Sequence, residues 1–376
     1  GSFVSALSTL NLMFATWDWT SGNPVPWANV ETDRNFKPGS AQLEKVLAWR
    51  NEPTSARLIQ KSRGDFETCR DIDRRLQELG GYFVGDPSQS LQASPDFFAV
   101  SAVELEIAQR NLDLIPMFWQ QVLRVYYDAV STRDRSLAWV AESVEGPILP
   151  KQVDWQRRVA LDQPNSLPLF ARADLSSIWH LVEIQERIGG LGLVESWLKA
   201  IRLVMGTQNV IGDVAGFAPA FVESVKRATG KDEPVVVLIC PTGYQDEQKF
   251  FAQMLRDEGA LAYVVGKETM EQELEYREGS LYLRRNGVKI DFLYRREINA
   301  ASMALTETGQ NVMRATLNGN LVVEPPLNMI FDCKTPMAWV HDRRVATYFS
   351  VAVRSAITPT ALLPKDVFEK FRVGGE

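Results

Sequence analysis

The stretch from Pro234 to Gly266 limits the fold more than any other part of the chain. PVVVLICP is a short β-rich run, DEQKFFAQMLRDEG carries apolar residues at helical spacing and closes at Gly259, and ALAYVVG is a second β-rich run. Strand, helix, strand in this order predicts a parallel sheet, because parallel strands need a crossover that a helix supplies. SLYLRRNGVKIDFLYRR follows, with Asn286-Gly287 as the turn between two strands.

The rest of the chain is arranged around this segment. After an irregular opening containing Trp and Pro, apolar residues recur at three- and four-residue spacing in Ala41 to Arg50, Asp65 to Leu79 and Val103 to Val130, which predicts a mainly helical first third. PNSLP at Pro164 to Pro168 breaks that pattern, and VVEPPLNMIFDCKTPMAWV leads into a final helical stretch. With 376 residues, two or three subdomains are expected. There is no internal repeat and no low-complexity segment.

Composition excludes several function classes. A net charge of -6 argues against general attraction to nucleic acid, while leaving room for a local basic pocket for phosphates. Cys69, Cys240 and Cys333 lie far apart without metal-type spacing, which fits a reduced, cytoplasmic compartment, and two histidines argue against a zinc site. The opening GSFVSALSTLNLMFATW lacks a basic leader and is not read as a signal peptide. No apolar segment approaches the roughly 20 residues that span a bilayer. The tryptophan-rich helices are expected to pack internally or across a homodimer.

Charge placed in strand-like runs singles out the candidate site. In LFARADL (Leu169 to Leu175) and LVEIQERIGGLG (Leu181 to Gly192), alternation puts Arg172 and Asp174 on one face of a strand and Glu183 and Gln185 on one face of its neighbour. An acidic and an amide oxygen two residues apart suit Mg²⁺, which takes hard donors and borrows others from phosphates. Arg172 would neutralise phosphoryl charge, and Gly189, Gly190 and Gly192 would let backbone approach a ligand closely. The plainer reading is an edge strand with a solvated, charged face. IDFLYRRE (Ile290 to Glu297) ends a strand in two arginines, where ligands of α/β sheets gather. Alternation sends Arg295 and Arg296 to opposite faces, so one enters a cleft and binds carboxylate or phosphate, the alternative being a surface ion pair. Lys334, at the start of a helix, is either a phosphate partner or an ordinary surface lysine.

The order of these pieces resembles the circularly permuted ATP-grasp ligases, of which the eukaryotic-type glutathione synthetases are the best-known members. The resemblance runs from about Leu169 to Leu363 through Arg172-Ala173-Asp174, Glu183-Ile184-Gln185, Gly189-Gly190-Leu191, Tyr294-Arg295-Arg296-Glu297 and Asp332-Cys333-Lys334-Thr335. It implies an α/β ATP-grasp fold. Residues 1–163 would form a mainly helical N-terminal region, 164–232 the first part of the core with its Mg-binding strand, 233–325 a parallel α/β substrate domain, and 326–376 the return to the core.

The resemblance also implies a Mg²⁺-dependent ligase that activates a carboxylate with ATP as an acyl phosphate, which an amine attacks to form an amide. By it, Glu183 and Gln185 ligate Mg²⁺, with Gln in place of the usual Asn. Arg172 lies near the acyl phosphate, Arg296 on the substrate carboxylate, Lys334 near the nucleotide, and Asp174 holds Arg172 or a substrate amine. Gly189, Gly190 and Arg372 join the substrate site. Two departures stand out. Only Glu186-Arg187-Ile188 separates the Glu-Ile-Gln strand from the glycine pair, where the synthetases carry a longer serine-containing segment, so the substrate is expected to differ from the glutathione precursor. The family's lysine-proline strand and glycine-rich lid, expected after about Phe371, are not found in the sequence to Glu376. The alternative from another class is a non-catalytic relative that keeps the scaffold as a binding or assembly module.

Overall fold

The central sheet is a run of four parallel strands, and its inner strand Val235–Cys240 is apolar and buried at every position. A computed structural model describes residues 59–60, 66–79, 97–98, 102–132, 134–176, 179–206, 216–296, 298–360 and 362; the expected helix at Ala41 to Arg50 lies outside them. Among the described residues the chain opens with a short antiparallel pair, β1 (Ile59–Gln60) and β2 (Phe97–Phe98), and the helices α1 (Phe66–Leu79), α2 (Ala102–Leu112), α3 (Ile115–Ser131), α4 (Ala138–Glu145) and α5 (Pro150–Asp162). The helical stretch expected over Val103 to Val130 holds two helices. Pro116, in the first turn of α3, has no N–H to donate to the carbonyl of Leu112, and its ring clashes there, so α2 ends and α3 begins.

Next follow β3 (Arg172–Leu175), β4 (Leu181–Gln185), α6 (Leu191–Met205) and α7 (Phe217–Thr229). The α/β region continues with β5 (Val235–Cys240), α8 (Gln245–Asp257), β6 (Leu261–Gly266) and α9 (Met270–Glu273). The strands β7 (Leu274–Arg277), β8 (Ser280–Leu283), β9 (Val288–Lys289) and β10 (Phe292–Arg295) come next. After α10 (Ala300–Met303), α11 (Glu307–Leu317) and β11 (Val322–Glu324), the described chain closes with α12 (Thr335–Trp339) and α13 (Val351–Ala356). No described helix is long and apolar enough to cross a membrane.

The parallel sheet has the order β11-β10-β5-β6. Val236, Leu238, Phe292 and Tyr294 point into a cluster with Phe170, Phe217, Phe221 and Phe251, while Val237, Ile239, Leu293 and Val323 point into a second cluster on the other face. Burial on both faces is why VVVLIC needs no alternation of polar residues, and each such side chain stabilises the fold by roughly 1.5–3 kcal/mol. The Asn286-Gly287 turn forms as expected: Gly287 adopts φ +68°, a conformation that costs glycine nothing, and its N–H reaches the carbonyl of Leu283 at 2.8 Å. The run after the turn divides, however. Val288–Lys289 pairs back onto β8, whereas Phe292–Arg295 joins the parallel sheet, because β10 must enter the core between β5 and β11.

Glu324 fastens the sheet to the strand pair that bears the candidate site. Fully buried at the end of β11, its carboxyl accepts the N–H groups of Leu169 (2.9 Å) and Phe170 (3.2 Å) just before β3. Burial pushes this carboxyl up to about 8, against the pull of the two amides and Arg295. The folded chain therefore holds a proton that the unfolded chain releases near its ordinary value of 4.5. The stability this carboxyl contributes is complete below that value and is lost as pH rises toward about 8. Urea unfolding across this window should show a decline of at most roughly tenfold in the folding constant per pH unit for this group, and Glu324→Gln should remove it. Identical pH slopes for the two proteins would contradict the assignment.

Candidate functional site

The charged strand residues form one continuous face. β3 and β4 pair antiparallel with Arg172 opposite Gln185 and Asp174 opposite Glu183, the arrangement that alternation predicts. Arg172 donates to Gln185 Oε1 at 2.6 Å, Gln185 donates to Glu183 Oε1, and Lys334 Nζ lies 2.8 Å from Glu183 Oε2. Asp174 Oδ1 stands 3.4 Å from Arg172 Nε. Burial raises the Asp174 carboxyl, and Glu183 across the strand pair adds to the rise against Arg172 and Lys334.

The carboxyl end of the parallel sheet supplies the opposite wall. Arg295 and Arg296 do diverge. Arg295 is wholly buried, donating to the carbonyls of Pro325, Ile298 and Pro326 and to Asp332; a guanidinium so engaged holds the chain together. Arg296 turns toward α6 and α8, where it meets Glu247 Oε2 at 2.7 Å and lies 4.4 Å above the ring of Tyr244. The surface ion pair considered for it is a buried one, at 2% and 0% side-chain exposure. Glu247 also accepts the N–H of Gly192 at 2.8 Å, satisfying an orphan donor at the start of α6. Gly192 has to be glycine for this approach, since a Cβ there would stand 2.2 Å from the backbone oxygen of Glu247. Gly190 takes the left-handed conformation, φ +75°, and starts α6 beside the cleft.

Between these walls lies a cleft of about 330 Å³ lined by Arg172, Glu183, Gln185, Gly189, Gly190, Arg296 and Lys334. Strands, glycine turn, sheet end and the 329–334 segment thus converge on one hollow. Asp174 is outside the lining and acts on Arg172 from behind, and Arg372 lies outside the described residues. The cleft adds residues that sequence reasoning missed: Glu186, Arg187, Tyr244 and Asp332. Tyr244 was within reach of the rule that pointed to Arg296, because it follows β5 as Arg296 follows β10. Arg187 Nε meets Asp332 Oδ1 at 3.0 Å, and the same oxygen takes Arg295. Burial, reinforced by Asp332 and Glu324, pushes Glu186 well above the usual carboxylate range.

The donor chemistry fits a hard cation within limits. Glu183 and Gln185 offer a carboxylate and an amide oxygen on one wall, enough for an ion that completes its shell with phosphate and water. Lys334 and Arg172 hold those same oxygens, so a cation would exchange with them. No group of three or more Asp, Glu, His or Cys gathers as a metal cluster among the described residues. In comparisons with known proteins, no protein-family model and no curated protein matches this chain, and its functional reading rests on the cleft.

Proposed function

We propose that the protein is an ATP- and Mg²⁺-dependent carboxylate-amine ligase built on a circularly permuted ATP-grasp core, acting on a substrate other than the glutathione precursor. The observation that carries this reading is the convergence of Arg172, Glu183, Gln185, Arg296 and Lys334 on one cleft from four separate stretches of chain. Such a mixture suits a ligand that bears both phosphate and carboxylate. Bound Mg²⁺ would supply charge neutralisation on the phosphate oxygens, held by Glu183 and Gln185. Arg172 would face the transferring phosphoryl group, and Asp174 keeps its guanidinium oriented. Arg296, stiffened by Glu247 and Tyr244, would receive the substrate carboxylate, and Lys334, at 71% side-chain exposure, is mobile enough to leave Glu183 for a nucleotide phosphate. Gly189 and Gly190 would let the substrate lie against backbone.

A second reading has its own support. The Glu183 and Gln185 oxygens that would hold the ion already have protein partners, as in a scaffold that binds through its surface and performs no reaction. Calorimetric titration with a non-hydrolysable ATP analogue and Mg²⁺ separates the two. Binding, followed by ADP release from ATP when pooled amino acids, peptides and polyamines are supplied, is the expected outcome. Absence of both would remove the ligase and leave the scaffold.

A further inference from the structure

We propose that Arg187 is a second oxyanion receptor of the cleft, taking a carboxylate or phosphate oxygen pair distinct from the group that Arg296 faces. Four cationic side chains, Arg172, Arg187, Arg296 and Lys334, line this hollow against Glu183, Glu186 and Asp332. Four cations face three carboxylates across the lining, so the hollow favours an anion.

The partners of the three arginines separate those that receive a ligand only in place from the one that can turn toward it. Arg296 is anchored: Glu247 is fully buried, and drawing the guanidinium away would strand that carboxylate. Arg172 is committed to Gln185 and Asp174. Arg187 differs. Its side chain is 29% exposed, and its ion pair is with Asp332, which keeps two contacts to Arg295 at 3.0 and 3.1 Å and the N–H of Ala300 whether or not Arg187 stays. Asp332 therefore orients Arg187 without depending on it. A planar guanidinium held at Nε presents its remaining N–H groups as a fork, the geometry that pairs with a carboxylate or phosphate through two bonds. If the ligase reading above holds, the acid substrate carries an anionic group beyond the carboxylate being activated, or a nucleotide phosphate reaches this arginine.

Calorimetric titrations of the full chain with glutarate and with pyrophosphate, in the absence of ATP and Mg²⁺, test the site. At least one probe should bind, and Arg187→Gln should weaken that probe about tenfold, as loss of a charge-assisted pair implies. Loss for glutarate identifies a carboxylate source, and loss for pyrophosphate a phosphate source. Should Arg187→Gln fail to fold, Arg187→Lys keeps a cation beside Asp332, removes the fork, and is held to the same comparison. A change smaller than about threefold for both probes, or no binding of either by the wild type, overturns the proposal. The ATP-analogue titration is read separately. Nucleotide binding with an Arg187-insensitive probe sinks this inference alone, whereas an Arg187-dependent probe without nucleotide binding sinks the ligase reading alone.

Discussion

Arg296→Met is expected to lower the free energy of unfolding by about 3–5 kcal/mol, the cost of leaving one member of a buried ion pair alone. The substitution keeps much of the side-chain volume and removes the charge, so packing loss is a minor part of the effect. What remains is Glu247, fully buried and held by the Gly192 amide and the side-chain amide of Gln248, too little to replace a guanidinium at 2.7 Å. The companion substitution decides the cause. Arg296→Met combined with Glu247→Leu removes both charges, and the double variant should recover most of the loss, since apolar residues of similar volume often replace a buried pair without penalty. Urea denaturation of the two single variants and the double variant completes the cycle. An additive double variant would mean that the two side chains do not act as a pair, and the wall of the cleft would have to be explained otherwise.

Glu183→Gln is expected to leave the fold in place and, on the ligase reading proposed above, to impair Mg²⁺-dependent ADP release. Glu183 is partly exposed and its cationic partner Lys334 is largely in solvent, so loss of that pair should change stability by less than about 1 kcal/mol. A neutral amide, however, is a much poorer ligand for a hard dication than a carboxylate. If Glu183 holds the metal, ADP release should fall by about 100-fold or more, equivalent to roughly 2.7 kcal/mol of barrier, and the Mg²⁺ concentration for half-maximal rate should rise. Unchanged Mg²⁺ dependence would remove Glu183 from the metal site and favour a purely structural role for the Arg172–Gln185–Glu183–Lys334 chain.

How far the site was legible from residues varies with the range of the forces that place them. The face shared by Arg172, Asp174, Glu183 and Gln185 follows from the two-residue period of a strand, and the register of β3 and β4 keeps that order. The opposite courses of Arg295 and Arg296 follow from the same period. Which of the two is locked and which faces the cleft was not legible, because it depends on Pro325, Pro326 and Asp332 on one side and Glu247 and Tyr244 on the other. Arg187 was passed over for a similar reason. Its orientation comes from Asp332, 145 positions away by the numbering, and Asp332 is held in turn by Arg295. The split of Val103 to Val130 shows the reverse case, since Pro116 was visible in the sequence and its local cost outweighed the helical pattern around it.

By itself the sequence determined the α/β class, the parallel crossover from β5 to β6, the turn at Asn286-Gly287 and the pairing of charges on one strand face, because each depends on local backbone geometry and on short-period burial. Tertiary structure alone decided that the sheet end, the strand pair and the 329–334 segment meet around one hollow, and which arginines there are anchored. Charges from distant segments act on one another only where packing excludes water and brings them within a few ångströms, and no local pattern encodes that meeting.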